Sequence, residues 1–275
     1  MDNALNYLIH QINEIYHLDL SVYDELFLEK TLKGRKEATK AATDEEYLTH
    51  LLENSSEVMH LTDSLTNCYS EFFRNPLTFA LLEQFVIPNL FSIKEQNHGR
   101  ELRIWSAGCS AGQEPYSVAI LADDYRRSSG TKTGFTIFAT DHSKRILEIA
   151  RRGIYDESAL KNTRLTYINR YFHKQQEHYK IIPDIMEQVD FSCYDLLDSN
   201  SGSPPASIYG GFDLVLCSNV LYYYSPEIKK KMLEKIIGSL NPGGFLVTSE
   251  AEKSIVKLVR GFRQFAPPAP IFVKT

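Results

Sequence analysis

From Arg100 onward the chain alternates short apolar runs with amphipathic stretches, and this alternation limits the possible folds more than any other feature. In order come LRIWSAG, SVAILADDY, FTIFATD, SKRILEIARRG, QVDFSCYDLL, FDLVLCSNV, PEIKKKMLEKIIGSL and GGFLVTSE. Strand, helix, strand, repeated, is the pattern of an α/β fold, a parallel sheet with helices on both faces. The runs FDLVLC and TIFAT are apolar at successive positions, as strands buried on both sides require. Two regions break the alternation. Residues from about 155 to 188 are polar, aromatic-rich and weakly periodic, and are expected to form an insertion carried on the sheet. DSNSGSPPASIYGG is turn chemistry, hence a surface loop before the strand at Phe212.

Ahead of this region the pattern is helical. NALNYLIHQINEIY puts Leu5, Leu8, Ile9, Ile12 and Ile15 on one stripe, and EEYLTHLLENSSEVMHL does the same with Tyr47, Leu48, Leu51 and Leu52. An all-α N-terminal domain over 1–68, followed by an α/β domain over 69–275, fits a chain of 275 residues. The formal charge of -5 gives no whole-protein basis for nucleic-acid binding, so any basic surface has to be local. Cys68, Cys109, Cys193 and Cys217 are scattered without metal or redox spacing and read as reduced thiols. No apolar run approaches the roughly 20 residues of a membrane helix, and the start lacks secretory-signal features, so a cytoplasmic protein without membrane insertion is expected.

The first strand of the sheet leads into RIWSAGCSAGQEPYS. In an open parallel sheet ligands sit beyond the carboxyl ends of the strands, and the turn from the first strand into its helix is the usual contact. Gly108 and Gly112 let backbone approach a ligand closely, and Pro115 suits the first turn of a helix. A dinucleotide fingerprint is absent, because Ser110 and Gln113 stand where its later glycines belong, and no Lys-Ser/Thr follows for a phosphate loop. The second strand ends in FATD, which puts Asp141 where a carboxylate accepts from both hydroxyls of a ribose. A nucleoside without phosphates, S-adenosylmethionine, fits better than a dinucleotide. A tight turn with a helix cap is the plainer alternative. LNPGGFLV and VDFSCYDLL add the late turn-and-strand and the third strand end usual in S-adenosylmethionine methyltransferases.

EFFRNPLTF, RIWSAGCSAGQEPYSVAI, FATDHSKRILEIARRGIY, INRYF, FSCYDLL and FDLVLCSNVLYYY, in this order, are similar to the chemotaxis receptor methyltransferases, the CheR family. The resemblance covers nearly the whole chain. It implies a class I Rossmann-like S-adenosylmethionine methyltransferase domain with a small inserted subdomain, preceded by the all-α domain. It further implies a protein-glutamate O-methyltransferase acting in chemotaxis signal transduction, with S-adenosyl-L-homocysteine as product. By resemblance, Arg74 is the active-site arginine beside the methionine part of the cofactor, and Cys68 and Ser70 are cofactor contacts just before it. Glu114 matches the cofactor-binding acid, Asp141 the ribose ligand, Asp195 and Leu196 the adenine-side pair, and Ser218 and Asn219 the pair ending the fourth strand. Tyr223 matches a tyrosine lining the methyl-transfer site. Departures from the family pattern are Cys68 and Asp195 for asparagine, Ser70 for threonine and Ser218 for arginine. Each role has a plainer counterpart: a salt bridge for Arg74, aromatic packing for Tyr223, a helix cap for Glu114.

Glutamate, with a pKa of about 4.3, is already an anion near neutral pH, so its methylation needs no general base. Alignment and desolvation then constitute the catalysis. The resemblance implies an acidic helical bundle of a chemoreceptor as partner. The basic stretch FLEKTLKGRKEATK, with Lys30, Lys33, Arg35, Lys36 and Lys40, is the expected recognition helix, an ordinary solvated face being the alternative. Family members that dock on a receptor's tail peptide have a glycine-flanked loop in the inserted subdomain; RYFHKQQEHYKIIPDIMEQVDF contains no glycine, so tail pentapeptide tethering is not expected. The chain is expected to act as a monomer. A catalytically silent S-adenosylmethionine-binding adaptor, or a methyltransferase with another acceptor, are the competing readings.

Overall fold

The computed structural model describes residues 3–65, 70–97, 101–207, 210–257 and 259–275. The chain divides into two compact units. The boundary expected at 68/69 lies outside the described residues.

The first unit holds the N-terminal helices α1 (Asn3–Tyr16), α2 (Glu25–Thr39), α3 (Asp44–Glu53) and α4 (Ser55–Ser64), and it also takes in Leu221–Lys230 from far along the chain. Leu8, Ile9 and Ile12 of α1 are buried with Leu28, Leu32, Tyr47, Leu51 and Leu61, which is the stripe the periodicity requires. Ile15 and Leu52 are exceptions, at 40% and 57% exposure. The second stripe lies within α3; Asn54 is extended (φ -128°) and separates it from α4. Asp24 and Thr43 cap α2 and α3 by accepting from Phe27 N–H and Glu46 N–H. The late segment joins the unit through a β-bridge of Tyr23 with Tyr224, whose rings stack at 5.4 Å, and through Phe27 against Tyr223 at 4.8 Å.

The second unit runs α5 (Pro76–Leu81), α6 (Ile87–Gln96), β1 (Leu102–Ala107), α7 (Gln113–Ser129), β2 (Phe135–Asp141), α8 (Lys144–Arg152), β3 (Ile154–Asp156), α9 (Leu165–Tyr171), β4 (Phe172–Gln175), β5 (His178–Ile181), α10 (Pro183–Met186) and β6 (Val189–Cys193). It continues with β7 (Phe212–Cys217), the second half of α11 (Pro226–Ser239), β8 (Leu240–Thr248), α12 (Lys253–Lys257), β9 (Phe262–Gln264) and β10 (Ile271–Lys274). The main sheet has the order β6-β2-β1-β7-β8-β10-β9. The first five strands are mutually parallel, and all five were legible as apolar runs. β10 and β9 are added antiparallel, which the alternation did not disclose. β1 and β7 are neighbours although β2 and β6 lie on the other side of β1, so the order reverses between them, and a ligand site is expected at their carboxyl ends.

β3, β5 and β4 form a separate antiparallel sheet in the predicted insertion. Its aromatic residues are packing groups: Phe72 meets Tyr155 at 4.8 Å and Phe172 at 5.2 Å edge-on, and Tyr167, Tyr171 and Ile181 belong to the same core as the main sheet. Against the expectation that no apolar run approaches membrane-helix length, the continuous helical stretch Pro76–Gln96 is long and apolar enough, by length and composition, to cross a membrane. Its Phe79, Leu82, Val86, Ile87, Leu90 and Phe91 are part of this core.

Candidate active site

β1 is fully buried from Ile104 to Ala107 and delivers the chain into the loop at Gly108–Gly112. Gly108 and Cys109 N–H both donate to the Thr140 carbonyl at 2.8 Å, which ties the loop to the end of β2. Asp141, the last residue of β2, closes the arrangement: Oδ2 accepts from Ser110 N–H and Oδ1 from Ser143 N–H, each at 3.0 Å. A carboxylate has about four lone-pair sites, so both oxygens keep capacity for a ligand hydroxyl. Gly108 (φ +78°) and Gly112 (φ +92°) are left-handed, as the loop demands. Their missing side chains make room for the chain itself. A Cβ on Gly108 would stand 2.4 Å from Val220 Cγ2, and one on Gly112 would stand 3.0 Å from both Ala150 Cβ and Tyr155 Oη. The insertion also braces this loop, through Tyr155 Oη donating to Ala111 O at 2.7 Å.

Glu114, in the first turn of α7, does not cap its helix; it accepts from Ser106 Oγ of β1 at 2.7 Å and is bonded by the Ser218 hydroxyl. It retains a small solvent-facing area, yet protein atoms crowd its carboxyl. This burial pushes its pKa up to about 7; the two serine hydroxyls and Arg74 oppose the rise, and the charge of Glu252 adds to it. Arg74 therefore acts on Glu114 across the site. Its backbone setting is unusual: Phe73 (φ +52°) and Asn75 (φ +71°) are both left-handed. A bulky residue such as Phe73 rarely adopts that conformation, and such strain concentrates at functional sites. Phe73 N–H is held by Ser117 Oγ at 3.0 Å, so α7 fixes the turn that presents Arg74.

At the tip of β7, Ser218 and Asn219 are half-buried, and Asn219 (φ +63°) donates its N–H to Glu252 Oε2 at 2.9 Å. At the tip of β6, Leu196 is buried and Asp195 is exposed, its Oδ1 accepting from Leu197 N–H at 2.8 Å. Ser70 is half-buried, and Cys68 lies outside the described residues. Gly108, Glu114, Asp141, Asp195, Leu196, Ser218 and Asn219 thus sit at or beside the carboxyl ends of parallel strands. Tyr223 belongs to the helical unit, in edge contact with Tyr222 at 5.6 Å.

The basic helix is less uniform than its sequence suggested. Lys30, Lys33 and Lys40 are exposed. Arg35 instead forks onto Glu57, at 2.9 Å from Nε and 2.6 Å from its terminal nitrogen, and Lys36 pairs with Asp44 at 2.5 Å. Burial works against ionising Glu57, but the bonds from Arg35 and Tyr47 outweigh it and hold its carboxyl below the usual range.

Sequence reasoning missed Ser106, Val220 and Glu252. Ser106 and Val220 carry no signal beyond the strand runs around them. Glu252 does carry one, since Ser249-Glu250-Ala251-Glu252 has the Ser-x-x-Glu spacing of a capping box, and that box is formed.

The donor set suits an adenosyl sulfonium. Carboxylates stand beside the end of β1 (Glu114) and at the tip of β2 (Asp141), with no lysine among the described residues of the Gly108–Gly112 loop to cradle phosphate, and a cation would relieve the cost of an ionised Glu114. Comparison with known proteins agrees. Residues 69–266 match the family model described as "CheR methyltransferase, SAM binding domain". Chemotaxis protein methyltransferase 1 of Pseudomonas aeruginosa is 37% identical over 196 residues, 70% of this chain and 68% of that protein. Chemotaxis protein methyltransferase Cher2 of Pseudomonas putida is 36% identical over the same shares of both chains. The chemotaxis protein methyltransferase of Listeria innocua is 33% identical over 236 residues, 86% of this chain and 84% of that one. By the family model and these relatives, the chain belongs to the CheR methyltransferase family and uses S-adenosylmethionine as its cofactor.

Proposed function

We propose that this protein transfers a methyl group to the side-chain carboxylate of specific glutamates on chemoreceptors, in the adaptation step of chemotaxis signalling. The observation that carries the reading is the set of Glu114, bonded to Ser106 of β1, and Asp141, holding the Gly108 loop, at the carboxyl ends of the parallel strands, in a chain of methyltransferase family. When bound, S-adenosylmethionine supplies a methyl group on a sulfonium. The chain's own residues bind, orient and exclude water. Asp141 holds the ribose, Asp195 and Leu196 flank the adenine, and Ser70, Ser218, Asn219 and Glu114 fix the rest of the cofactor. Arg74 offers forked, charge-assisted hydrogen bonds that set the angle at which an incoming carboxylate meets the methyl carbon. No residue has to remove a proton, because the acceptor arrives ionised. The part assigned to Tyr223 rests on its motif.

Docking on an acidic helical bundle falls to Lys30, Lys33 and Lys40, since Arg35 and Lys36 are engaged within their own unit. The hairpin of β4 and β5 turns through Gln176 and Glu177 without a glycine, which supports a protein that works without tail-peptide tethering. The test is transfer of labelled methyl from S-adenosylmethionine onto receptor-containing membranes. Label released as methanol by mild base is expected. Base-stable label would assign another acceptor chemistry, and cofactor binding with no transfer would assign an adaptor.

A further inference from the structure

Glu252 is the one fully buried acid at the carboxyl ends of β7 and β8, among the described residues, to which the reaction as derived gives no part. Burying a carboxylate is costly unless donors satisfy it, and here one oxygen collects three. Oε2 accepts from Ser249 N–H at 2.9 Å, which with Glu252 N–H donated to the Ser249 side chain forms the capping box of the short turn after β8, and it accepts from Ser249 Oγ at 2.7 Å. It also accepts from Asn219 N–H at 2.9 Å, on the neighbouring strand end. Of these three bonds a capping box needs only the one from Ser249 N–H. The third bond reaches across from one strand tip to the next and holds Asn219 in the left-handed conformation that turns the chain after β7. That turn sets two things at once: Ser218, whose hydroxyl bonds Glu114, and Val220, which packs against the Cβ position that Gly108 leaves open.

We propose that Glu252 is a positioning residue for the cofactor: its carboxylate clamps the β7 tip to the β8 turn, and so fixes Ser218, Asn219 and the Gly108 loop in binding geometry. Glu252 touches neither cofactor nor acceptor in this role; it acts through Asn219. The inference rests on the cofactor assignment and on the strand-tip contacts proposed above. A second consequence is electrostatic. The groups facing Glu114 are the Ser106 and Ser218 hydroxyls, the Arg74 cation, the Glu252 carboxylate and the thiols of Cys109 and Cys217, and Glu252 opposes ionisation of Glu114. Removing the negative charge of Glu252 while keeping an acceptor oxygen makes Glu114 a stronger acid.

The experiment is calorimetric titration of the full chain with S-adenosylmethionine, in the absence of acceptor, from pH 5.5 to 8.5, for the native protein, E252A and E252Q. E252A leaves Asn219 N–H without its partner and is expected to weaken binding by about tenfold or more with the circular dichroism spectrum unchanged. E252Q keeps a carbonyl oxygen for Asn219, so it is expected to recover binding to within about threefold and to move the pH midpoint of binding downward. Native-like binding by E252A, with only its melting temperature lowered, would reduce Glu252 to a turn cap and overturn the proposal. If E252A does not fold, E252D decides: its shorter side chain keeps the charge but falls short of Asn219 N–H, and native-like binding by it overturns the proposal. Failure of the native chain itself to bind would strike the cofactor assignment instead, a result distinct from either.

Discussion

Glu114 turns its surroundings into a measurable pH response. In the ligand-free fold its carboxyl is raised from 4.5 to about 7, so between these values the folded chain keeps a proton that the unfolded chain has released. Stability contributed by this group is therefore greatest at low pH, falls as pH rises through the window and levels above it. Melting temperatures of Glu114→Gln are expected to lose this slope, and a slope equal to the native one would remove Glu114 as its source. A cationic cofactor reverses the preference and favours the anion. Binding below about pH 7 should then release a proton and weaken by up to about tenfold per unit, which calorimetry in two buffers of different ionisation enthalpy reads directly. Arg74→Ala is expected to lower kcat by about a hundredfold or more while S-adenosyl-L-homocysteine binding changes little, because a group that orients the acceptor acts in the transfer step. Asp141→Ala should do the opposite and raise the cofactor Kd.

At the scale of elements, motif and contact give different information. Strands β1, β2, β7 and β8 were legible because burial on both faces writes a mainly apolar run, while the edge strand β6 was legible from the alternation of Val189 and Phe191 with polar residues. The antiparallel pair β9 and β10 was not, since three- and four-residue strands are too short to show a period. The stretch from Glu45 to Leu61 showed its helical stripe at Tyr47, Leu48, Leu51 and Leu52, but not the break at Asn54 that separates α3 from α4. In the site, Gly108 and Asp141 were read from their positions after strands and Glu114 from the family resemblance, whereas the clamp from Glu252 joins residues far apart in sequence. α2 repeats the lesson: five basic residues read alike, yet Arg35 is committed to a buried carboxylate, with Glu57 at 4% side-chain exposure. Removing one partner of such a pair strands the other charge. Arg35→Ala is thus expected to cost about 3 kcal/mol of stability, read as a lowered denaturation midpoint, while Lys33→Ala leaves that midpoint in place.

For the molecule as a whole, charge has to act locally, because the chain carries a net -5 and its proposed partner is acidic as well. Joint replacement of Lys30, Lys33 and Lys40 by alanine is expected to raise KM for receptor and leave the cofactor Kd alone. Added salt should raise the native KM in the same way, as screening of a surface attraction requires. An equal effect on both substrates would place the receptor contact elsewhere. The two units also differ in how their chain is assembled. The helical one is completed by Leu221–Lys230, whose Tyr223 and Tyr224 cover Phe27 and Tyr23. A ribosome delivers the four N-terminal helices early and this strap only after most of the sheet has been synthesised. Until then the nascent helices carry two aromatic rings without their lids, and a gene fragment that stops before the strap produces them in that unfinished state permanently.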